Sequence, residues 1–79
     1  MYLEIVTPEH TVFSGEIEKI KLPGESGSFG LLKNHAPLIS SLKEGIIIYK
    51  TNAGELKEFS IKSGVVEVLK NNIIVLASV

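Results

Sequence analysis

The spacing of apolar and polar residues along the chain predicts β-strands. Glycine or proline recurs from Pro8 to Gly64, mostly at intervals too short for an ordinary helix of ~11 residues. The longest segment without either residue, 65–79, is rich in valine and isoleucine, whose branched side chains favour strands. Isoleucine, valine and threonine make up about a quarter of the chain. We therefore expect an all-β protein without long helices.

Individual strands are indicated by strict alternation or by short apolar runs. In the segment 16–22, Ile17 is out of phase with Ile20 and Leu22, which predicts a β-bulge or a change of buried face. The three isoleucines at 46–48 predict a strand covered on both faces. The predicted strands are 2–7, 16–22, 46–51, 55–61, 65–70 and 73–77.

Turn-forming residues separate the predicted strands. The sequence Asn-Ala-Gly at 52–54 predicts a short hairpin loop, and Asn-Asn at 71–72 predicts a two-residue turn. The glycine-rich stretch 22–30 predicts a tight loop over a sheet edge, with Phe29 at its tip but poorly suited to solvent. Seven or more strands at this spacing indicate one domain over 1–79, a flattened β-sandwich or barrel of two mainly antiparallel sheets.

The composition favours a protein that binds other proteins. A chain of 79 residues is marginally stable alone, and without cysteine it has no disulfide to help. Hydrophobic residues make up 44% and charged residues only 22%, an apolar balance for so small a domain. Large exposed apolar patches mark interaction sites, so we favour a partner surface over a tightly packed monomer with a few exposed aliphatic residues.

The charges argue against nucleic acid and membrane insertion. The net charge is −1, and all eight cations are lysine, so the bidentate arginine contacts that read bases or clamp phosphates are missing. No apolar run approaches the ~20 residues that span a bilayer, and the N-terminus lacks the features of a signal peptide. We expect a cytoplasmic location.

No motif for catalysis or cofactor binding is present in the sequence. The stretch 22–30 fits neither a dinucleotide fingerprint, nor a P-loop, nor a nucleophile elbow. His10 and His35 are far apart and not in metal-ligand spacing, and no grouping of serine, histidine and carboxylate can be argued. We expect no catalytic residue, no cofactor, no metal and no small-molecule substrate.

Several segments together resemble one protein family. A glycine loop followed by His-Ala-Pro-Leu forms the most specific segment, LPGESGSFGLLKNHAPL at 22–38. The similarity continues through VFSGEIEKI at 12–20, LKEG at 42–45, SGVVEV at 63–68 and IIVLA at 73–77. On these residues the chain resembles the N-terminal domain of the epsilon subunit of the bacterial F-type ATP synthase.

This resemblance implies a role in the central stalk. Such domains are flattened β-sandwiches that pack against the gamma subunit and rest on the rotor ring of c subunits, at the cytoplasmic face of the membrane. They help to couple proton- or sodium-driven rotation to ATP synthesis, which other chains catalyse. By similarity, Ser28 and Phe29 face the c-ring, whereas Thr7, His35 and Ser40 face the gamma subunit.

The resemblance also sets a limit on function. Most bacterial members continue into a two-helix hairpin that inhibits ATP hydrolysis and in some species binds ATP. The sequence ends at Val79, where that hairpin begins in the family. Inhibition and nucleotide binding are therefore not expected of these 79 residues.

Two alternatives from other classes remain open at this stage. A lipoyl- or biotinyl-type carrier domain is also a small all-β fold and needs a lysine at a hairpin tip, for which Lys33 or Lys70 could serve. The tip sequence of such carriers is absent here, and intact mass would reveal a covalent adduct. A nucleic-acid-binding β-barrel needs a basic stripe with stacking aromatics, and this chain has only five scattered aromatic residues.

Overall fold

The protein consists of β-strands joined by short turns. A computed structural model describes residues 1–34 and 36–79, and these contain no helix, hence none long and apolar enough to cross a membrane. This confirms the all-β prediction. The strands are β1 (Tyr2–Val6), β2 (Thr11–Gly24), β3 (Gly27–Leu31), β4 (Leu38–Leu42), β5 (Gly45–Thr51), β6 (Leu56–Ile61), β7 (Ser63–Leu69) and β8 (Asn72–Ser78).

The two predicted layers are halves of one continuous sheet. Its strand order is β1-β8-β7-β4-β2-β5-β6, with β3 paired to β2. β2 joins the halves because its first part pairs with β1 and its second part pairs with β3 and β5. β1 and β8 are parallel, and the other pairs are antiparallel. The molecule measures 26 × 24 × 18 Å, a flattened shape that accommodates two layers packed about 10 Å apart.

A bulge in β2 brings both of its parts into the core. The pairing with β5 shifts between Ile17 and Lys19, so that Glu18 is the extra residue. Ile17 and Ile20 are both buried, although strict alternation would place them on opposite faces. This confirms the bulge that the sequence predicts.

The core lies between the two layers and is almost entirely aliphatic. Burial of these side chains supplies the main driving force for folding. The rings of Phe13 and Tyr49 pack at one side with their centroids 4.7 Å apart. The buried apolar residues are Leu3, Ile5, Ile17, Ile20, Leu22, Leu31, Leu42, Ile47, Tyr49, Ile61, Val66, Val68, Ile73, Val75 and Ala77.

The hairpin turns agree with the sequence in one case and shift by a residue in the other. Gly54 adopts a φ of 92° in the β5–β6 loop, as predicted. In the β7–β8 turn the two central residues are Lys70 and Asn71, with φ of 52° and 64°, because Asn72 already pairs with Leu69. The Asn71 carbonyl accepts a 2.9 Å hydrogen bond from the amide of Tyr2, which favours this register.

The glycine-rich stretch forms a hairpin rather than the predicted loop. β3 pairs with the end of β2, so Phe29 lies opposite Leu22 inside a strand, and the tip is formed by residues 25–26. The strand fits because Gly24 has no side chain: a Cβ there would lie 2.7 Å from the Phe29 ring.

The prediction that the isoleucine run 46–48 is covered on both faces is wrong in part, because Ile47 is buried whereas Ile46 points outward and is 47% exposed.

Candidate partner interface

One outer surface of the molecule carries a cluster of exposed aliphatic side chains. β4, β7 and β8 lie side by side, and the residues that alternate with their buried positions point outward. Val65 lies directly opposite Leu76, so their side chains are neighbours. We call this surface the apolar face and define it by Ile39, Val65, Leu69, Ile74 and Leu76, which are 38–72% exposed.

Along the described strands of this surface the charges are few and all negative. The sequences of β1, β4, β7 and β8 contain no lysine. Glu67 lies opposite Ile39 and Ile74, and Glu4 flanks Ile74 on the other side. An aliphatic surface with only two carboxylates is poorly suited to water and well suited to a partner.

The outer surface of the other layer is different. Lys19, Lys21 and Lys50 point outward from β2 and β5, and Lys19 lies directly opposite Lys50. With the exposed Leu56 they border a shallow groove of about 540 Å³. We call this surface the lysine face. Its aliphatic residues are interrupted by cations, which keep that surface hydrated.

Thr7 is a structural residue of the β1–β2 turn. It is 5% exposed. Its hydroxyl donates to the carbonyl of His10 at 3.1 Å and accepts from the His10 amide at 3.3 Å. Thr7 lines a shallow depression together with Val6, Pro8 and Leu76, so it borders the apolar face through its neighbours.

Ser40 and Phe29, predicted for different partners, lie close together. Both line a small concavity between the β2–β3 tip and β4, which the highly exposed Ile39 also borders. Phe29 is half-buried and packs against the core, whereas Ser28 beside it is exposed. β4, which carries Ser40, lies three strand spacings, about 14 Å, from β1, which ends beside Thr7. Ser40 pairs with the buried Val66 and points to the inner side of β4, whereas its neighbour Ile39 belongs to the apolar face.

His35, the third predicted gamma-facing residue, lies outside the described residues. The backbone amide of its neighbour Asn34 donates a hydrogen bond to Oδ1 of Asn71 at 2.7 Å. Nδ2 of Asn71 donates in return to Oδ1 of Asn34 at 3.1 Å. These two bonds tie the connection between β3 and β4 to the β7–β8 turn.

Two features of the described residues bear on their chemistry. Within 1–34 and 36–79 no group of three histidine or acidic side chains is close enough to hold a metal ion. Burial raises the pKa of the Tyr49 phenol above its ordinary value of 10.0, but the ring belongs to the core beside Phe13.

The members of the apolar face were not identified from the sequence. The composition indicated a partner surface but not its residues. In 65–69 the alternation places apolar side chains on both faces of the strand, and this signal could have identified Val65 and Leu69. Ile39 could not be found in this way because β4 was not predicted.

These features define a small β-sandwich with an uncovered apolar face, which is the architecture of a partner-binding domain. The family model described as "ATP synthase, Delta/Epsilon chain, beta-sandwich domain" matches residues 1–79, and the chain belongs to this family. Membership of this family takes the place of the carrier-domain alternative. Lys70 does lie in a hairpin turn, which is the position that a carrier lysine needs.

Similar proteins agree with this assignment. The chain is 43% identical over 75 residues to the ATP synthase epsilon chain of Syntrophomonas wolfei, covering 95% of this chain and 55% of that protein. It is 38% identical over 77 residues to the ATP synthase epsilon chain of Caulobacter vibrioides, covering 98% and 88%. The chain thus spans about half the length of the first relative and most of the second.

Solved structures share the fold at low sequence identity. A chain in the Euglena gracilis mitochondrial ATP synthase, solved as OSCP/F1/c-ring, matches with a TM-score of 0.87 at 18% identity, over 95% of this chain and 48% of that one. A chain in the central stalk/c-ring of the Tetrahymena thermophila mitochondrial ATP synthase matches with a TM-score of 0.82 at 18% identity, over 100% and 63%. At this identity the likeness shows the fold.

Proposed function

We propose that the chain is the sandwich domain of a central-stalk subunit of the F-type ATP synthase, linking the gamma subunit to the c-ring. Its family supports this role, as do relatives named ATP synthase epsilon chain and fold neighbours in central-stalk and c-ring assemblies. In this role the domain is non-catalytic. It is a peripheral component at the cytoplasmic face of the membrane and helps to couple ion-driven rotation to ATP synthesis by other chains.

The gamma subunit docks on the apolar face in this proposal. The observation that carries it is the row of exposed aliphatic side chains on three adjacent strands without a lysine. Covering such a surface removes apolar area from water, which stabilises the complex and gives a negative heat-capacity change. Thr7 and Ser40 each line a depression that a member of this face also borders, Leu76 and Ile39 respectively, and their gamma-facing assignment stays a prediction.

The c-ring contacts the β2–β3 hairpin in this proposal. Ser28 and the tip residues Glu25 and Ser26 are exposed, and the tip lies beside β4, where the Glu25 amide donates to the Ser41 carbonyl at 3.2 Å. Phe29 supports the hairpin from beneath, because its ring packs against the core. We therefore assign the direct contact to Ser28 and the hairpin tip, and a supporting role to Phe29.

Calorimetry with purified partners tests the proposal. The chain is titrated separately with the gamma subunit, with detergent-solubilised c-ring and with ATP. We expect saturable binding to the gamma subunit with a negative heat-capacity change, weaker binding to the c-ring alone, and no saturable heat with ATP. Absence of binding to the gamma subunit, or micromolar binding of ATP, would contradict the proposed role.

A further inference from the structure

Asn71 is the meeting point of three separate parts of the chain. Its carbonyl accepts the amide of Tyr2 at the start of β1, at 2.9 Å. Its side chain accepts a hydrogen bond from the backbone amide of Asn34 at 2.7 Å and donates one to the Asn34 side chain at 3.1 Å. One turn residue thus joins β1, the β7–β8 hairpin and the connection between β3 and β4.

Asparagine meets the chemical demands of this position. The backbone of Asn71 has a φ of 64°, and asparagine tolerates this left-handed region better than most residues. Its side-chain amide has a carbonyl acceptor and an NH2 donor group, and each makes one hydrogen bond to Asn34. Aspartate lacks the donor, and glycine lacks both groups.

The connection held by Asn71 leads directly into the proposed interface. It covers residues 32–37 and carries the chain from β3, beside the lysine face, to β4, which presents Ile39 on the apolar face. Its described residues Leu32, Lys33, Asn34, Ala36 and Pro37 are all exposed. Burial therefore does little to hold it, so hydrogen bonds such as the two to Asn71 contribute to its order.

We propose that Asn71 is a positioning residue for partner binding, which holds the β3–β4 connection so that the edge of the apolar face is ordered before the gamma subunit docks. The inference rests on the proposed function. A connection that is already ordered loses less conformational entropy on docking, which raises affinity without any contact between Asn71 and the partner. The predicted gamma-facing His35 follows Asn34 directly in this connection.

The test compares two glycine substitutions in the same turn. Asn71→Gly keeps the positive φ and removes the side chain, whereas Lys70→Gly makes the same change at the neighbouring position, also at positive φ. Amide hydrogen exchange of the free, full-length chain is measured first. We expect exchange at the Asn34 amide to accelerate about tenfold in N71G and to stay unchanged in K70G.

Affinity for the gamma subunit is then measured for the same variants. We expect N71G to bind several-fold more weakly, while K70G binds like the unaltered chain. Asn34→Gly should weaken binding by a similar factor. The double variant N34G/N71G should bind no more weakly than either single variant, because each substitution removes the same side-chain contact between Asn34 and Asn71. Unchanged exchange at Asn34, or unchanged affinity of N71G, would overturn the inference. Failure of the unaltered chain to bind the gamma subunit would instead contradict the proposed function. The exchange experiment uses the free chain, so its result does not depend on that partner.

Discussion

The two outer faces of the sandwich are built from similar strands but differ in the residues that point outward. Both have exposed leucines, Leu76 on the apolar face and Leu56 on the lysine face, with exposures of 57% and 66%. On the lysine face, Lys19, Lys21 and Lys50 interrupt the aliphatic residues. Among the described strands of the apolar face no lysine does so, and the aliphatic side chains adjoin one another across strands. An exposed leucine thus carries little information by itself, whereas its neighbours indicate whether a partner covers it.

The largest effect is expected at Phe29, where the hairpin beside the lysine face meets the edge of the apolar face. Phe29→Asp places a charge against the core and removes a half-buried ring, so we expect a loss of roughly 2 kcal/mol or more of unfolding free energy. Ser28→Asp, on the neighbouring exposed residue, should leave the melting temperature nearly unchanged. Thermal melts of both variants check this. A stable F29D protein with only a binding defect would show that Phe29 is an interface anchor.

A second prediction compares two glycines, one in each layer. A Cβ on Gly64 would lie 2.7 Å from the Leu76 carbonyl oxygen, whereas one on Gly30 would meet its nearest atom at 3.5 Å. Gly64→Ala should therefore destabilise the protein by ~1–3 kcal/mol, because backbone must move, and Gly30→Ala should have little effect. Urea unfolding of both variants measures the difference. Equal stability of the two would refute tighter packing beneath the apolar face.

A third prediction concerns the opposed lysines of the lysine face. Like charges directly opposite each other across strands are unfavourable, so Lys50→Glu should raise stability by about 0.2–1 kcal/mol. The gain should shrink at high salt, since both side chains are at least partly exposed. The double variant K19E/K50E restores like charges and should lose the gain. If its stability equals that of K50E, the repulsion between these two positions is not the cause.

The smallest effect is a pH dependence in alkali. Burial raises the pKa of Tyr49 in the folded protein above its ordinary value of 10.0, so the folded state holds the phenolic proton more tightly than the unfolded state. This contribution to stability is fully present below pH 10 and is lost as the pH rises through the folded-state value. Urea unfolding from pH 9 to 11.5 should show the loss, and Tyr49→Phe should reduce it. An identical pH profile for Y49F would contradict the assignment.

Local patterns were enough to predict six strands, the bulge in β2 and the β5–β6 turn. Alternation, β-branched content and turn chemistry are all local, and each agrees with the final fold. β3 and β4 were missed because the glycines of β3 and the serines of β4 gave no alternation. β3 is a strand because it pairs with the end of β2 across a tight turn, and β4 because it pairs with β7, which is distant in the sequence.

The candidate interface was harder to predict for a related reason. The apolar face combines residues from β4, β7 and β8, and only the pairing register shows that Ile39, Glu67 and Ile74 form one row. Composition indicated an excess of apolar residues, but register decides which of them remain outside the core. Thr7 illustrates the converse: the family resemblance assigned it to the gamma subunit, whereas its buried hydroxyl completes a turn.

In the function proposed above, the gamma subunit covers the apolar face and leaves the lysine face uncovered. The most direct test is the affinity for the gamma subunit of two matched variants, Leu76→Glu and Leu56→Glu, with melting temperatures measured on the same samples. We predict that L76E weakens binding about 30-fold or more, the effect of losing roughly 2 kcal/mol at an interface anchor, while L56E binds like the unaltered chain. Equal affinities of the two folded variants, or a larger loss for L56E, would contradict the account.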